Sequence, residues 1–352
     1  MNAKITLLPG DGIGPEVVAE GRRVLEAVGQ KRGHTFEFAE HLIGGCSIDQ
    51  HGTALTEEAL AACKASDAVL LGAVGAPKYD DPANKVRPEQ GILALRKGLG
   101  VFANLRPVKV HPALADASPL KPEKLKGVDV LVLRELTGGL YFGYKSREEI
   151  DGHVKVVDAL EYHDYEIRRI VELAFRLARG RRQKVTSVDK ANILDTSRLW
   201  RQIAMEVGAA NPEVALDHML VDTAAMQLVA NPARFDVLVT ENMFGDILTD
   251  EAAVLVGSMG MLPSASLGGD GPGLYEPIHG SAPDIAGQGL ANPVGTILSV
   301  AMLFRHSLKL EAEANAVEAA VNQTIRDGGR TRDLGGALTT RQMADEIIKR
   351  MP

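Results

Sequence analysis

The sequence is poor in cysteine and in aromatic residues: two cysteines, Cys46 and Cys63, one tryptophan, and 4% aromatic side chains in 352 residues. Two cysteines cannot build a disulfide framework, and neither lies in a Cys-x-x-Cys pair of the metal-binding or redox kind. A reducing, cytoplasmic interior is the setting this implies. Long apolar runs are missing as well. None approaches the roughly eighteen residues of a membrane span, and the apolar stretch ending at Leu8 breaks into a Pro-Gly turn too early for a secretory signal. There is no excess of positive charge: 39 Lys and Arg against 46 Asp and Glu give a formal net charge of −7. That balance, without a lysine-rich tract, excludes a nucleic-acid surface and still permits a local basic pocket for a small anion. Internal repeats and low-complexity segments are also absent.

What remains is an ordinary globular composition, 45% hydrophobic and 24% charged, over a length that suits two domains at about 150 residues each. Strand and helix signals alternate, which predicts an α/β fold. Lys4 to Leu8 reads as a buried strand, and Pro9-Gly-Asp-Gly-Ile-Gly-Pro15 as a turn into a helix from about Glu16 to Val28. That turn is not a dinucleotide fingerprint, because the Gly-x-Gly-x-x-Gly spacing would need glycine where Pro15 stands. Further strands are expected at 68 to 75, 103 to 108, 129 to 136, 184 to 190, 215 to 221 and 235 to 240. Helices are expected from Glu89, from 165 to 180, from 197 to 207, near 293 to 308 and 311 to 327, and from Thr340. Residues 257 to 280, rich in Gly and Pro, read as a functional loop region.

Three features carry chemistry. Asp246 and Asp250 are four apart, so a helix would set both carboxylates on one face. Such a pair is mildly repulsive alone and favourable around a hard divalent cation. The bland alternative places Asp246 in the first helical turn, where its charge suits the helix dipole, and leaves Asp250 as a solvated side chain. Second, Arg106 and Arg134 lie in apolar strands, where a guanidinium is costly unless an acceptor meets it. With Arg96 they suit a ligand bearing carboxylates or phosphate. Third, Glu89, Ile92, Leu93 and Arg96 share one helical face.

Taken together, Asn104-Leu-Arg-Pro, Arg134-Glu-Leu-Thr-Gly-Gly-x-Tyr-Phe-Gly, Val188-Asp-Lys-Ala-Asn, Gly245-Asp-Ile-Leu-x-Asp and His279-Gly-Ser-Ala-Pro-Asp-Ile-Ala-Gly287 resemble the β-decarboxylating dehydrogenases of the isocitrate/isopropylmalate dehydrogenase family. The likeness runs from Leu7 to about Thr340. It implies a non-Rossmann fold of two α/β domains. The first, discontinuous domain would be 1–101 with 257–352. The second would be 102–256, with an arm at 138–160 that pairs across the two-fold axis of a homodimer. The active site would be shared between subunits.

The resemblance also implies roles. Asp246 and Asp250, with Asp222 from the other subunit, would hold Mg²⁺ or Mn²⁺. Arg96, Arg106 and Arg134 would clamp two substrate carboxylates. Tyr141, with Lys190 from the other subunit, would move protons, Lys190 as base and Tyr141 as the acid that protonates carbon after CO₂ leaves. Lys190 would then need a pKa well below its usual value of about 10.4. NAD would sit on Ile13, Glu276, His279, Gly280, Ser281, Ala282, Asp284, Ile285 and Asn292, with Asp284 accepting from the ribose and repelling the extra phosphate of NADP. Glu89, Ile92 and Leu93 would face the substrate side chain, and the apolar pair suits an isopropyl group, hence 3-isopropylmalate and leucine synthesis. Malate, tartrate or homoisocitrate are the alternatives within the family, and a metal-dependent anion-binding protein without turnover is the alternative outside it. Tyr144 to Gly152 departs from the Pro-Arg-Gly type expected after Tyr141-Phe-Gly143, which bears on the arm and leaves the catalytic set untouched.

Overall fold

The computed structural model describes all 352 residues. In chain order the strands are β1 (Asn2–Gly10), β2 (Thr35–Glu40), β3 (Ala68–Ala73), β4 (Ala103–Lys109), β5 (Asp129–Glu135), β6 (Lys145–Ile150), β7 (His153–Asp158), β8 (Lys184–Asp189), β9 (Ala215–Leu220), β10 (Val237–Thr240), β11 (Pro263–Leu267) and β12 (Gly273–Pro277). The helices are α1 (Gly14–Arg32), α2 (Gly45–His51), α3 (Glu57–Lys64), α4 (Glu89–Leu99), α5 (Pro122–Leu125), α6 (Asp164–Ala178), α7 (Asp195–Ala209), α8 (Val221–Ala230), α9 (Asn242–Ala253), α10 (Val294–His306), α11 (Glu311–Arg326) and α12 (Thr340–Arg350). The chain forms two compact units. The first contains Met1–Val101, His111–Pro119 and Val256–Pro352, and the second Phe102–Val110 and Leu120–Leu255.

In the first unit the strand order is β2-β1-β3-β12-β11. β2, β1, β3 and β12 run parallel, and β11 is antiparallel to β12. β3, Ala-Val-Leu-Leu-Gly-Ala, is buried along its whole length, as a central parallel strand covered on both faces must be. Helix α1 buries Val17, Val18, Val24, Leu25 and Val28 and ends at Gly33 in the left-handed conformation, an apolar stripe with a glycine stop. The segment His111–Pro119 lies within the stretch expected to form the second domain, yet it clusters with this unit. Arg330 there donates to Asp116 at 2.8 and 3.0 Å and to the Ala113 carbonyl.

The stretch 257 to 280 is not a loop region, contrary to the expectation from its glycine and proline. It contains β11 and β12, and residues 263–266 and 273–277 are buried. The polar side chains that obscure the strand pattern are bonded internally. Ser264 Oγ donates to the Glu276 carbonyl at 2.9 Å, and the Tyr275 hydroxyl donates to Ser307 Oγ at 2.9 Å. Buried polar groups that are satisfied in this way cost little, so a strand can be buried without being hydrophobic throughout.

In the second unit the order is β4-β5-β10-β8-β9. β4 is antiparallel to β5, and β5, β10, β8 and β9 are parallel. β6 and β7 form a separate two-stranded hairpin. Asp151 and Gly152 at its tip both have positive φ, 52° and 77°, the conformation a two-residue Asp-Gly hairpin turn requires. Tyr144, Ile150, Val154 and Val156 on and beside the hairpin are exposed.

Candidate active site

Helix α9 organises the acidic part of the site. Glu241 caps it, accepting from the Met243 and Phe244 amides at 3.1 and 2.7 Å. Asp246 therefore lies in the second turn, and the reading of it as a first-turn helix-dipole residue fails. Asp246 and Asp250 sit on one face, with side-chain exposures of 37% and 60%. Burial raises the Asp250 carboxyl above its ordinary range, against the pull of Arg106 and with the push of Asp246.

Two strands deliver the arginines. Arg106, on β4, is 7% exposed. Its Nε donates to Asn104 Oδ1 and one terminal nitrogen to Thr249 Oγ1. The same guanidinium comes within 4.0 Å of Asp246 and 3.9 Å of Asp250. Arg134, at the end of β5, is 3% exposed. It donates to Asn242 Oδ1 through Nε at 3.0 Å and Nη2 at 2.8 Å, and through Nη1 to Asp246. Gly245 is what lets it lie there: a Cβ at that position would stand 2.7 Å from Arg134 Cγ. The Tyr141 hydroxyl donates to Asp246 Oδ2 at 2.9 Å, and its ring lies 5.7 Å from the Arg134 guanidinium carbon. Burial and the Asp246 charge push the Tyr141 phenol up to about 12.

Lys190, just beyond β8, donates from Nζ to Asp222 Oδ2 at 3.0 Å and holds that carboxyl below its usual range. No three His, Cys, Asp or Glu side chains of the chain converge to metal-binding distance. Asp222 thus does not complete the Asp246–Asp250 pair within one chain. It travels with Lys190, the other residue expected from a second subunit.

The first unit carries the remaining candidates. Arg96, on α4, is 8% exposed and donates to Glu276 Oε1 at 2.9 Å. Its Nε is buried without a partner, so the guanidinium keeps donor capacity for an anion. Ile92 and Leu93 are half-buried, while Gly91, Leu95 and Leu99 make the core contact of α4. The apolar pair is therefore not simply core. Glu89 is exposed.

Around the turn after β1, Gly12 has φ +57°, and a Cβ on it would stand 1.9 Å from the Ser281 carbonyl. That approach brings the Ile13 amide onto the same carbonyl at 2.8 Å. Ile13, Val17 and Ala291 form a small apolar floor against which Ala282, Ile285 and Ala286 pack. His279 Nδ1 meets the Gly280 carbonyl at 2.9 Å, Nε2 is buried without a partner, and burial lowers the ring pKa. A neutral ring with Nδ1 protonated leaves Nε2 as an unsatisfied buried acceptor. Gly280 and Asp284 are exposed. The apolar floor, open acceptor and exposed carboxylate fit the adenosine half of a dinucleotide. Asn292 Nδ2 donates to Asp333 at 3.0 Å, and its Oδ1 accepts from the Val294 amide at 3.0 Å.

Sequence reasoning passed over Asn104, Asn242, Thr249 and Glu135, although three of them stand inside quoted motifs. It also missed Asp11, whose carboxylate accepts from the Gly45, Cys46 and Gly75 amides at 2.8 to 2.9 Å. For Asn104, flanked by Ala103 and Leu105 in a strand, the available signal was a polar residue inside an apolar run.

Two buried arginines folded onto a carboxylate pair one helical turn apart, with a tyrosine hydroxyl on one of those carboxylates, define an α/β enzyme built for a small polyanionic substrate. The chain belongs to the isocitrate/isopropylmalate dehydrogenase family, whose model matches residues 4–347, and is an oxidoreductase. It is 73% identical over 352 residues to 3-isopropylmalate dehydrogenase of Anaeromyxobacter dehalogenans, covering 100% of both chains. It is 58% identical to 3-isopropylmalate dehydrogenase of Geobacillus kaustophilus, over 98% of this chain and 95% of that one. Among solved structures, isocitrate dehydrogenase from Methylococcus capsulatus aligns with a TM-score of 0.86 at 34% identity, over 99% of both chains. A β-decarboxylating dehydrogenase from Thermococcus kodakarensis aligns at 0.80 and 36%, over 99% of this chain and 96% of that one.

Proposed function

We propose that this protein catalyses the NAD-dependent oxidative decarboxylation of (2R,3S)-3-isopropylmalate to 4-methyl-2-oxopentanoate and CO₂, in leucine synthesis in the cytoplasm. The observation that carries the chemistry is the Arg106–Arg134–Tyr141 cluster around Asp246 and Asp250. Full-length identity of 73% to a protein named for that activity supports the substrate. The half-buried Ile92 and Leu93 favour an isopropyl group over the polar arms of isocitrate or homoisocitrate.

In this reading Arg96, Arg106 and Arg134 bind and orient the two substrate carboxylates. Asp246 and Asp250 supply two oxygen ligands of a divalent-cation site, and Asp222 of a second copy supplies the third. Bound NAD would accept the hydride from C2, and Mg²⁺ or Mn²⁺ would stabilise the charge that develops on its oxygen. Lys190 of the second copy takes the hydroxyl proton. Tyr141, protonated at working pH and fixed on Asp246, delivers a proton to the carbon that loses CO₂. Asp284 meets the ribose of NAD.

The second copy is supported by exposed apolar side chains on this unit: Met226 and Val229 on α8, Ile247 on α9 and Val254 just after it, and the hairpin residues. Met226 and Val229, three apart, share one face of α8. Burying such side chains is worth about 1.5–3 kcal/mol each, a gain that a homodimer would collect.

The test is NADH formation by the purified protein with Mn²⁺ or Mg²⁺ on 3-isopropylmalate, isocitrate, homoisocitrate, malate and tartrate. Preference for 3-isopropylmalate is the expected result. Preference for another acid would keep the chemistry and overturn the assignment of Ile92 and Leu93, and no NADH with any of them would return the anion-binding reading.

A further inference from the structure

Between the Arg134–Tyr141 turn and the start of α9 lies a buried network that touches no substrate atom in the reading above. Glu135 is fully buried. Its carboxylate accepts from the Thr137 amide and hydroxyl at 3.0 and 2.9 Å, the Gly138 amide at 2.8 Å, the Tyr162 hydroxyl at 3.1 Å and Arg169 at 3.3 Å. The Tyr162 hydroxyl in turn accepts from the Asn242 amide at 3.0 Å. Asn242 is the first residue of α9, and its amide is one of the donors that a helix start leaves without an internal partner. The Asn242 side chain closes the ring: Nδ2 donates to the Gly138 carbonyl at 3.1 Å, while Oδ1 takes two bonds from Arg134.

The Tyr162 ring is fitted to this place. A Cβ on Gly138 would stand 2.5 Å from Tyr162 Cε1, and one on Gly139 would stand 2.9 Å from its hydroxyl oxygen. The two glycines of the motif are thus the space into which the ring packs, and Trp200 meets it edge-on with ring centroids 5.8 Å apart. Burial and the Glu135 and Glu241 charges hold the phenol well above its ordinary pKa. It therefore stays protonated, donating to Glu135 and accepting from Asn242. Tyr162 lies on the segment between the hairpin strand β7 and helix α6, and the Glu161 carbonyl beside it accepts from the Gly139 amide at 2.8 Å.

We propose that Tyr162 is a positioning residue for the reaction: its hydroxyl, bridging Glu135 to the first amide of α9, fixes the Arg134–Tyr141 turn against the helix that carries Asp246 and Asp250. Tyr141 reaches Asp246 across this joint, so the distance between proton donor and carboxylate is set by Tyr162 rather than by either element alone. The inference rests on the reading of Tyr141 as the group that protonates carbon.

A double-mutant cycle on the full-length protein tests it, with Tyr162→Phe, Tyr141→Phe and both together, reading kcat and the KM values for 3-isopropylmalate and NAD beside thermal melts. Tyr162→Phe keeps the ring and removes the bridge. It is expected to lower kcat about tenfold or more, since small misplacements at a reacting centre are costly, and to leave the KM for NAD within about twofold. In the Tyr141→Phe background its further effect on kcat should shrink to below about twofold, the signature of two residues acting through one step. An equal loss in both backgrounds, or an unchanged kcat, overturns the proposal. A Tyr141→Phe enzyme as fast as the wild type removes the reading of Tyr141 and this inference with it, whereas an impaired Tyr141→Phe beside an unimpaired Tyr162→Phe overturns this inference alone. Should Tyr162→Phe fail to fold, Glu135→Gln, which takes one acceptor oxygen from the same bridge, is read in the same cycle with the same outcomes.

Discussion

Replacing Asp250 by Asn separates the stability of the empty protein from its affinity for a divalent cation, and the two should move in opposite directions. In the folded chain the Asp250 carboxyl is raised, first by burial and then by Asp246, with Arg106 at 3.9 Å opposing. A carboxyl whose folded pKa exceeds its unfolded value is costlier to ionise in the native state. That cost is absent below the ordinary aspartate value, appears as pH rises through the interval up to the folded value, and is complete above it. At neutral pH the Asn variant escapes it. The side chain is 60% exposed and Arg106 offsets part of the repulsion, so the gain is that of one like-charge i,i+4 pair, about 0.2–0.5 kcal/mol. For a chain of this size that is a rise of about half a degree in Tm.

The cation reverses the order. A ligand present at a hundredfold excess over its Kd stabilises by about 2.7 kcal/mol, an upward shift of about 4 °C. Melts of wild type and Asp250→Asn with EDTA and with saturating Mn²⁺, at neutral pH and near pH 4, give all four comparisons. The variant should melt slightly higher with EDTA at neutral pH, match the wild type in acid, and lose most of the Mn²⁺ shift. A variant that keeps the full shift would place the cation elsewhere and sink the assignment of the Asp246–Asp250 pair.

Tyr141 should stay protonated far into base: the difference between tyrosinate absorbance titrations of wild type and Tyr141→Phe is expected to have its midpoint near 12, and a midpoint at the ordinary value of about 10 would contradict its contact with Asp246. Since the unfolded phenol ionises first, this group costs the native state stability only above that ordinary value. Glu16 accepts from the Gly287 and Gly289 amides, holding the loop that follows Asp284. Glu16→Ala should raise the Kd for ADP-ribose about tenfold, the loss of about 1.4 kcal/mol expected for hydrogen bonds to a charged group; titration calorimetry that finds no change would detach Glu16 from the adenosine site. Asp284→Lys with Ile285→Tyr should move the NADP to NAD ratio of kcat/KM upward by one to two orders of magnitude, about 1.4–2.8 kcal/mol of differential binding, and an unaltered ratio would remove the ribose from Asp284.

How far the sequence leads depends on whether a position is set locally or by its neighbours in space. β3 and β10 were legible because central parallel strands are largely apolar. β11 and β12 were not, because Ser264, Ser266 and Glu276 interrupt the apolar pattern and become tolerable only through partners such as the Glu276 carbonyl, which accepts from Ser264 Oγ, and Arg96, which donates to the Glu276 carboxylate. The same contrast holds in the site. The i,i+4 spacing of Asp246 and Asp250 is local and readable. That Arg134 would spend three donors on Asn242 and Asp246 is not, since Asn242 lies 108 residues away.

The residues that spacing could not assign explain why the assigned ones can be buried. Arg106 and Arg134 each lie almost out of solvent, where an uncompensated cation would be prohibitively costly. Each is met first by an amide, Asn104 or Asn242, on a neighbouring stretch of backbone. An amide oxygen satisfies guanidinium donors without cancelling their charge. A carboxylate in that place would satisfy them equally well and neutralise the field that must attract a dicarboxylate substrate. The carboxylates that do approach, Asp246 and Asp250, are the pair expected to turn toward a divalent cation, which would release the arginines' charge toward the substrate. If the arginines bind the substrate carboxylates as proposed, Asn104 and Asn242 belong to the same recognition: Asn104 stands in one short motif with Arg106, whereas Asn242 reaches Arg134 only through the fold.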